Sequence, residues 1–77
     1  MAFDEARFRQ VVTEALQIGA HQYRPSLSLG DIEEWDSVAH LELISAIETA
    51  FGLRFSADEM LELTGLEQLR SRLTRGA

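Results

Sequence analysis

The chain changes character at Glu33-Glu34-Trp35-Asp36-Ser37-Val38-Ala39-His40-Leu41. Before this segment, from Ala20 to Trp35, apolar residues follow no period, and Pro25, Ser26, Ser28 and Gly30 punctuate a long loop. After it, Ala39, Leu43, Ile44, Ala46, Ile47, Ala50 and Phe51 fall on one broad arc when the chain is stepped at roughly 100° per residue. That spacing predicts a helix from Ser37 to about Phe51. Asp36 is its expected N-cap, because a carboxylate there can accept an otherwise orphan backbone N–H of the first turn. Ser37 then takes the first helical position with its hydroxyl free, beside amides that favour a negative group such as a phosphate. A modifiable hydroxyl at such a place suits a phosphodiester.

The rest of the chain reads as helices and connectors around this one. From Asp4 to about Gly19, Phe8, Val11, Val12, Ala15 and Leu16 recur on one helical face, with Asp4 and Glu5 at the positive end and Gly19 as the expected terminator. In the loop, Leu27, Leu29 and Ile32 are expected to pin the chain to the core, while His21 and Tyr23 take surface or packing roles. Leu53 and Phe55 alternate across Arg54 in a short extended connector. Ser56-Ala57-Asp58-Glu59 matches a capping box and opens a short helix with Met60, Leu61 and Leu63. Thr64-Gly65-Leu66-Glu67 matches a second box, opening a last helix whose stripe is Leu66, Leu69 and Leu73, with Arg70, Arg72 and Arg75 suited to its negative end. The expected fold is all-α: a small four-helix bundle of three main helices and one short one, with residues 1–77 forming a single domain.

At 77 residues the chain has room for one core and none for an elaborate active site. It has no cysteine, which excludes disulfides, thiolate metal sites and a thiol of its own. Its thirteen acids do not fall into the calcium-loop pattern, since neither Asp31-Glu34 nor Asp58-Glu62 supplies alternating ligands, a glycine turn and a terminal glutamate. No metal is expected. The net charge of -6 argues against nucleic acid and anionic membranes as partners, and for basic protein surfaces. Met1-Ala2-Phe3-Asp4-Glu5 lacks the basic start and apolar run of a signal peptide, and no apolar stretch reaches transmembrane length, so cytoplasmic residence is the expectation.

Asp36-Ser37-Val38, together with Asp31-Ile32, Trp35, His40, Leu43-Ile44, Glu48, Phe51-Gly52-Leu53 and Phe55, resembles the acyl carrier protein family. The resemblance runs from about Leu29 to Leu73 and is to the stand-alone carriers with a Trp-Asp-Ser motif. Trp35 and Val38 depart from the commoner Gly-x-Asp-Ser-Leu form, which blurs the branch of the family and not the attachment site. The resemblance implies 4'-phosphopantetheine attached to Ser37, with Asp36 part of the recognition motif. It also implies acyl groups held as thioesters in fatty acid or polyketide biosynthesis, and as partners a phosphopantetheinyl transferase and acyl-loading and acyl-processing enzymes. The chain would be a monomer with no chemistry of its own.

Beside Ser37, the outer arc of the same helix carries Val38, Leu41, Glu42, Ser45, Glu48 and Thr49. Two aliphatic residues among acids form a docking stripe for a partner with a basic rim and an apolar notch; Val38, Leu41, Glu42, Ser45 and Glu48 are its candidates. Trp35 and His40, at the positions before the cap and four residues into the helix, are expected to pack and fix its entry. Ser37 and His40 could also be imagined as nucleophile and base, but nothing in the sequence orients the imidazole and no oxyanion hole is evident, so no residue is read as catalytic. Two alternatives stay open: an aminoacyl or peptidyl carrier, although those commonly place histidine or another residue where Asp36 stands, and an unmodified acidic helical adaptor binding a basic partner.

Overall fold

Asp4 opens the first helix, α1 (Glu5–Leu16), its Oδ1 accepting the Arg7 amide at 3.0 Å. The computed structural model describes residues 3–75; Met1 and Ala2, which entered the signal-peptide argument, lie outside the described residues. Helix α1 buries Phe8, Val11, Val12 and Leu16, the face that the periodicity predicts. It ends earlier than expected. Gln17, not Gly19, reverses the chain, at φ 57° in the left-handed region. A side chain with a Cβ pays roughly 1–2 kcal/mol there; the reversal lets Ile18 turn into the core, where it is buried. Gly19 instead leads into a single 3-10 turn, Ala20–Gln22, with its amide donating to Gln22 Oε1 at 3.2 Å.

Helix α2 (Ser37–Phe51) has the predicted bounds. Leu43, Ile44 and Ile47 are buried, and Ala39, Ala46, Ala50 and Phe51 pack half-buried against the same core, mainly opposite α1. The Phe51 ring lies 5.8 Å from that of Phe3 and 6.5 Å from that of Phe8, so the far end of α2 is held by an aromatic cluster. Gly52 closes α2 at φ 68° and donates to the Glu48 carbonyl at 2.9 Å, a left-handed cap that glycine adopts without strain. The connector then buries Phe55 and half-buries Leu53.

Helix α3 (Ala57–Glu62) begins with the expected capping box: Ser56 Oγ accepts the Glu59 amide at 3.1 Å, and Glu59 Oε1 accepts the Ser56 amide at 2.9 Å. Helix α4 (Leu66–Thr74) does not begin with its box. The cap residue is Gly65, and the Thr64 side chain makes no capping bond. The donor is satisfied from the loop instead: the Leu66 amide donates to the Leu27 carbonyl at 2.9 Å, and the Leu29 amide donates to the Thr64 carbonyl at 2.8 Å. Ser28 and Gly65 thus form an isolated antiparallel bridge. A Cβ on Gly65 would meet Ser28 Oγ at 3.0 Å, a tight approach that a glycine avoids. Leu27 is buried, with Leu29 and Ile32 packed beside the core, so the loop is pinned as its leucines predict.

Arg72 lies in the last turn of α4 and Arg75 caps it, as expected, and Arg70 and Arg72 in addition pair across helices. Arg70 bridges Glu5 of α1 at 3.0 Å over the Phe8 ring, and Arg72 bridges Glu59 of α3 at 2.7 Å over the Phe55 ring. Each long stem covers an aromatic face while its charge is neutralised, which is how a small bundle seals its seams. The architecture is the expected all-α one, four helices with no strand among the described residues. No described helix is long and apolar enough to cross a membrane.

Candidate functional site

The lead-in to α2 is built from the inside outwards. Trp35 is 0% exposed, and its carbonyl accepts the Gly30 amide at 3.0 Å, which fixes the loop against the helix start. Asp36 follows in extended backbone and its Oδ1 accepts the Ala39 amide at 2.8 Å, the predicted cap. Ser37 is therefore the first residue of α2, exposed, with its side chain outside the cap. The Ser37 and Val38 amides stand in the first turn, where no carbonyl of the same helix reaches them. An exposed primary hydroxyl next to such amides, at the positive end of a fifteen-residue helix, fits a phosphodiester.

His40 has no part in activating that hydroxyl. Its ring lies 5.9 Å from the Trp35 ring and is only 5% exposed. Nδ1 accepts the Trp35 Nε1–H at 3.1 Å, and Nε2 is 2.9 Å from the Met60 carbonyl oxygen. Because Nδ1 accepts, Nε2 carries the proton and donates to Met60. Both nitrogens are committed, and the imidazole ties α3 to the first turns of α2 while satisfying a buried indole. The expected packing of Trp35 with His40 is present. The tie to α3 is additional, and could not be seen in a local pattern because its partner is twenty residues away.

The proposed stripe divides. Val38 is 68% and Leu41 60% exposed, and Glu42 and Ser45 are exposed beside them. Leu41, Glu42 and Ser45 also line an open groove whose other wall is Arg7 and Glu14 of α1 and Gln17, the residue that caps it. Glu48 does not share this surface role. It is half-buried, and its Oε2 accepts the Phe55 amide at 2.8 Å, so the carboxylate orders the connector after α2. Leu61, 79% exposed, is a residue the sequence reading missed as a surface group. A six-residue helix turns less than twice; Met60 and Leu63 take its inner side, and Leu61 is left outward on the element that His40 holds. The Ser56 amide, and then Arg72, hold the Glu59 carboxyl below its usual value of 4.5. No group of three or more metal-ligating side chains converges among the described residues.

A capped helix start followed by an exposed serine, on a small helical bundle, is compatible with a carrier that bears a prosthetic arm. The chain belongs to the phosphopantetheine attachment site family, whose model matches residues 6–73. It is thus a phosphopantetheine-carrying protein, bearing the group covalently and acting as a carrier rather than a catalyst. Its role entails interaction with a phosphopantetheinyl transferase and with biosynthetic enzymes. None of the curated proteins compared with the chain matches it.

Proposed function

We propose that the chain is an acyl carrier protein, a single monomeric domain that holds acyl intermediates as thioesters on 4'-phosphopantetheine bonded to Ser37 Oγ. The observation that carries this reading is the division of labour at the start of α2, where Asp36 takes the Ala39 amide and leaves the adjacent Ser37 hydroxyl exposed. The bound arm supplies the thiol that this cysteine-free chain lacks. The residues of the chain do the rest: Asp36 sets the helix start, Trp35 and His40 hold it against α3, and the first-turn amides face the phosphate position.

Val38, Leu41, Glu42 and Ser45 form the surface offered to partner enzymes, with basic groups on the partner meeting the acids of this face. Asp36 before the serine and the acidic balance favour acyl over aminoacyl or peptidyl cargo. The test is intact mass after incubation with coenzyme A and a phosphopantetheinyl transferase. One phosphopantetheine is gained by the natural chain and none by Ser37→Ala; a gain by the alanine variant sinks the assignment.

A further inference from the structure

Helices α1 and α2 run antiparallel, with the Phe8 and Phe51 rings 6.5 Å apart at one end and Leu16 and Ala39 bordering a common hollow at the other. On their solvent side they leave an open groove floored by Val11, Ala15, Ala46 and Ala50, with Leu41 exposed on its lip. From Leu41 to Ala50 the groove follows α2 for roughly 14 Å, or two and a half helical turns. Its short floor side chains let another backbone come close.

The charges on the rim are ordered along the groove. Glu14 and Glu42 stand at the Ser37 end, where the groove runs into a hollow rimmed by Glu33, Glu34 and Asp36. Arg7, one residue from Phe8, stands at the opposite end. Asp4 holds the Arg7 amide, and the guanidinium makes no ion pair among the described residues. Ser37 lines neither hollow: at about 100° per residue it projects roughly a third of a turn away from Glu42 and Thr49. A body seated in the groove therefore leaves the serine uncovered, which suits a protein partner and not the arm itself.

We propose that the groove between α1 and α2 seats an amphipathic helix of a partner protein, with its apolar stripe on the alanine floor, a basic residue against Glu14 and Glu42, and an acidic residue against Arg7. Helix α1 thus supplies one wall of the docking site, and recognition is not confined to the exposed arc of α2. The order of charges decides which end of the incoming helix lies beside Ser37, and so how the partner is turned toward the arm. The inference rests on the reading of the chain as a carrier that docks on partner enzymes.

The probes are three labelled synthetic peptides with one leucine and alanine stripe, each made helical by a lactam bridge on its outer face. One carries lysine at one end and glutamate at the other, one lysine at both ends, and one glutamate at both. Binding to the full, unmodified chain is followed by fluorescence anisotropy at low and high salt and by amide shifts of the isotope-labelled protein. The peptide with unlike ends is expected to bind most tightly, to shift the Val11, Ala15, Ser45 and Thr49 amides, and to weaken roughly three- to tenfold with Glu14→Lys or Arg7→Glu. Arg7→Glu should in turn tighten the peptide with lysine at both ends, and Leu61→Ser on α3 should change none of the three. Thermal melts check that each variant is folded. Absence of binding by every peptide, affinity indifferent to Arg7→Glu, or shifts confined to α3 overturns the proposal. Because the chain bears no arm here, each of these failures leaves attachment at Ser37 standing; a failed mass gain in the transferase assay strikes the carrier reading instead.

Discussion

Glu48 Oε2 accepts the amide of Phe55 at 2.8 Å across the turn at Gly52, so an acid on α2 that belongs by spacing to the outer face is spent on ordering the connector. Glu42, about one and two-thirds turns earlier, remains exposed. Lysine at the two positions should behave differently. Glu48→Lys loses an acceptor for a half-buried amide and should cost about 1–3 kcal/mol in denaturant unfolding. Glu42→Lys should leave stability within about 0.5 kcal/mol while slowing association with a basic partner enzyme, more so at low salt. Stopped-flow association at two ionic strengths checks the second half; equal rates for Glu42→Lys and the natural chain would remove Glu42 from the docking surface.

Ser37→Ala should fold normally, because the Ala39 amide is capped by Asp36 and not by the serine. Asp36→Ala should lose about 1 kcal/mol of stability and be modified far more slowly. Thermal melts alongside a time course of mass gain separate the two effects. Modification of Asp36→Ala at the natural rate would show that the aspartate serves the helix alone.

Leu41 and Leu43 are two residues apart on α2, one 60% exposed and the other 0%. Leu43→Ala should destabilise by roughly 2–5 kcal/mol, the range for emptying a buried leucine site. Leu41→Ala should fall within about 0.5 kcal/mol of the natural chain and show its loss only in partner-dependent acyl transfer. Chemical denaturation of both variants decides it, and a large effect at Leu41 would mean that α2 is rotated from the orientation described.

The Ser56 amide and Arg72 lower the Glu59 pKa from its ordinary 4.5, so the ionised carboxylate favours the folded state. The sign follows from linkage: this contribution is present above the unfolded value and is lost as pH falls through the folded one. Glu59→Gln keeps a capping side chain but loses the charge facing Arg72. The stability gap between the natural chain and Glu59→Gln should be widest near neutrality and narrow as pH drops below about 4.5. A gap independent of pH over that interval would exclude the ionised pair as its source.

Gln17 sits at φ 57°, where glycine is unstrained. Gln17→Gly should raise stability by about 0.5–1 kcal/mol, the relieved strain exceeding the added freedom of the unfolded chain. A melting temperature below that of the natural chain would mean that the glutamine side chain contributes contacts worth more than the strain.

The features that were legible in the sequence are those in which a residue acts on its near neighbours. Asp36 on Ala39, Ser56 with Glu59, and the leucine and isoleucine spacing of α2 all lie within one or two turns, where pattern and cause coincide. The misses have partners elsewhere. Thr64 looked like a cap because its box is complete, but Leu27 supplies the acceptor from far along the chain, and Gly65 sits close against Ser28. Glu48 looked exposed until the turn at Gly52 brought the Phe55 amide back to it. Arg70 and Arg72 matched a helix-end preference, which does not reveal the carboxylate and aromatic ring that each meets across the bundle. Leu61 was assigned with its neighbours because a helix of six residues is too short for its period to be read.

The crossing of the loop with the head of α4 also orders events in time. On a chain made from its N-terminus, the Leu27 carbonyl and the Leu29 amide have no partners until Leu66 and Thr64 have been added, whereas the short-range bonds of the loop, Leu27 to Arg24 and Gly30 to Trp35, can close before then. The turn that leads through Trp35 into Ser37 is anchored in that loop. The loop behind the serine is therefore fully anchored only once the head of α4 has been added, and an enzyme that reads the anchored helix start rather than a bare tripeptide meets its target on a folded molecule.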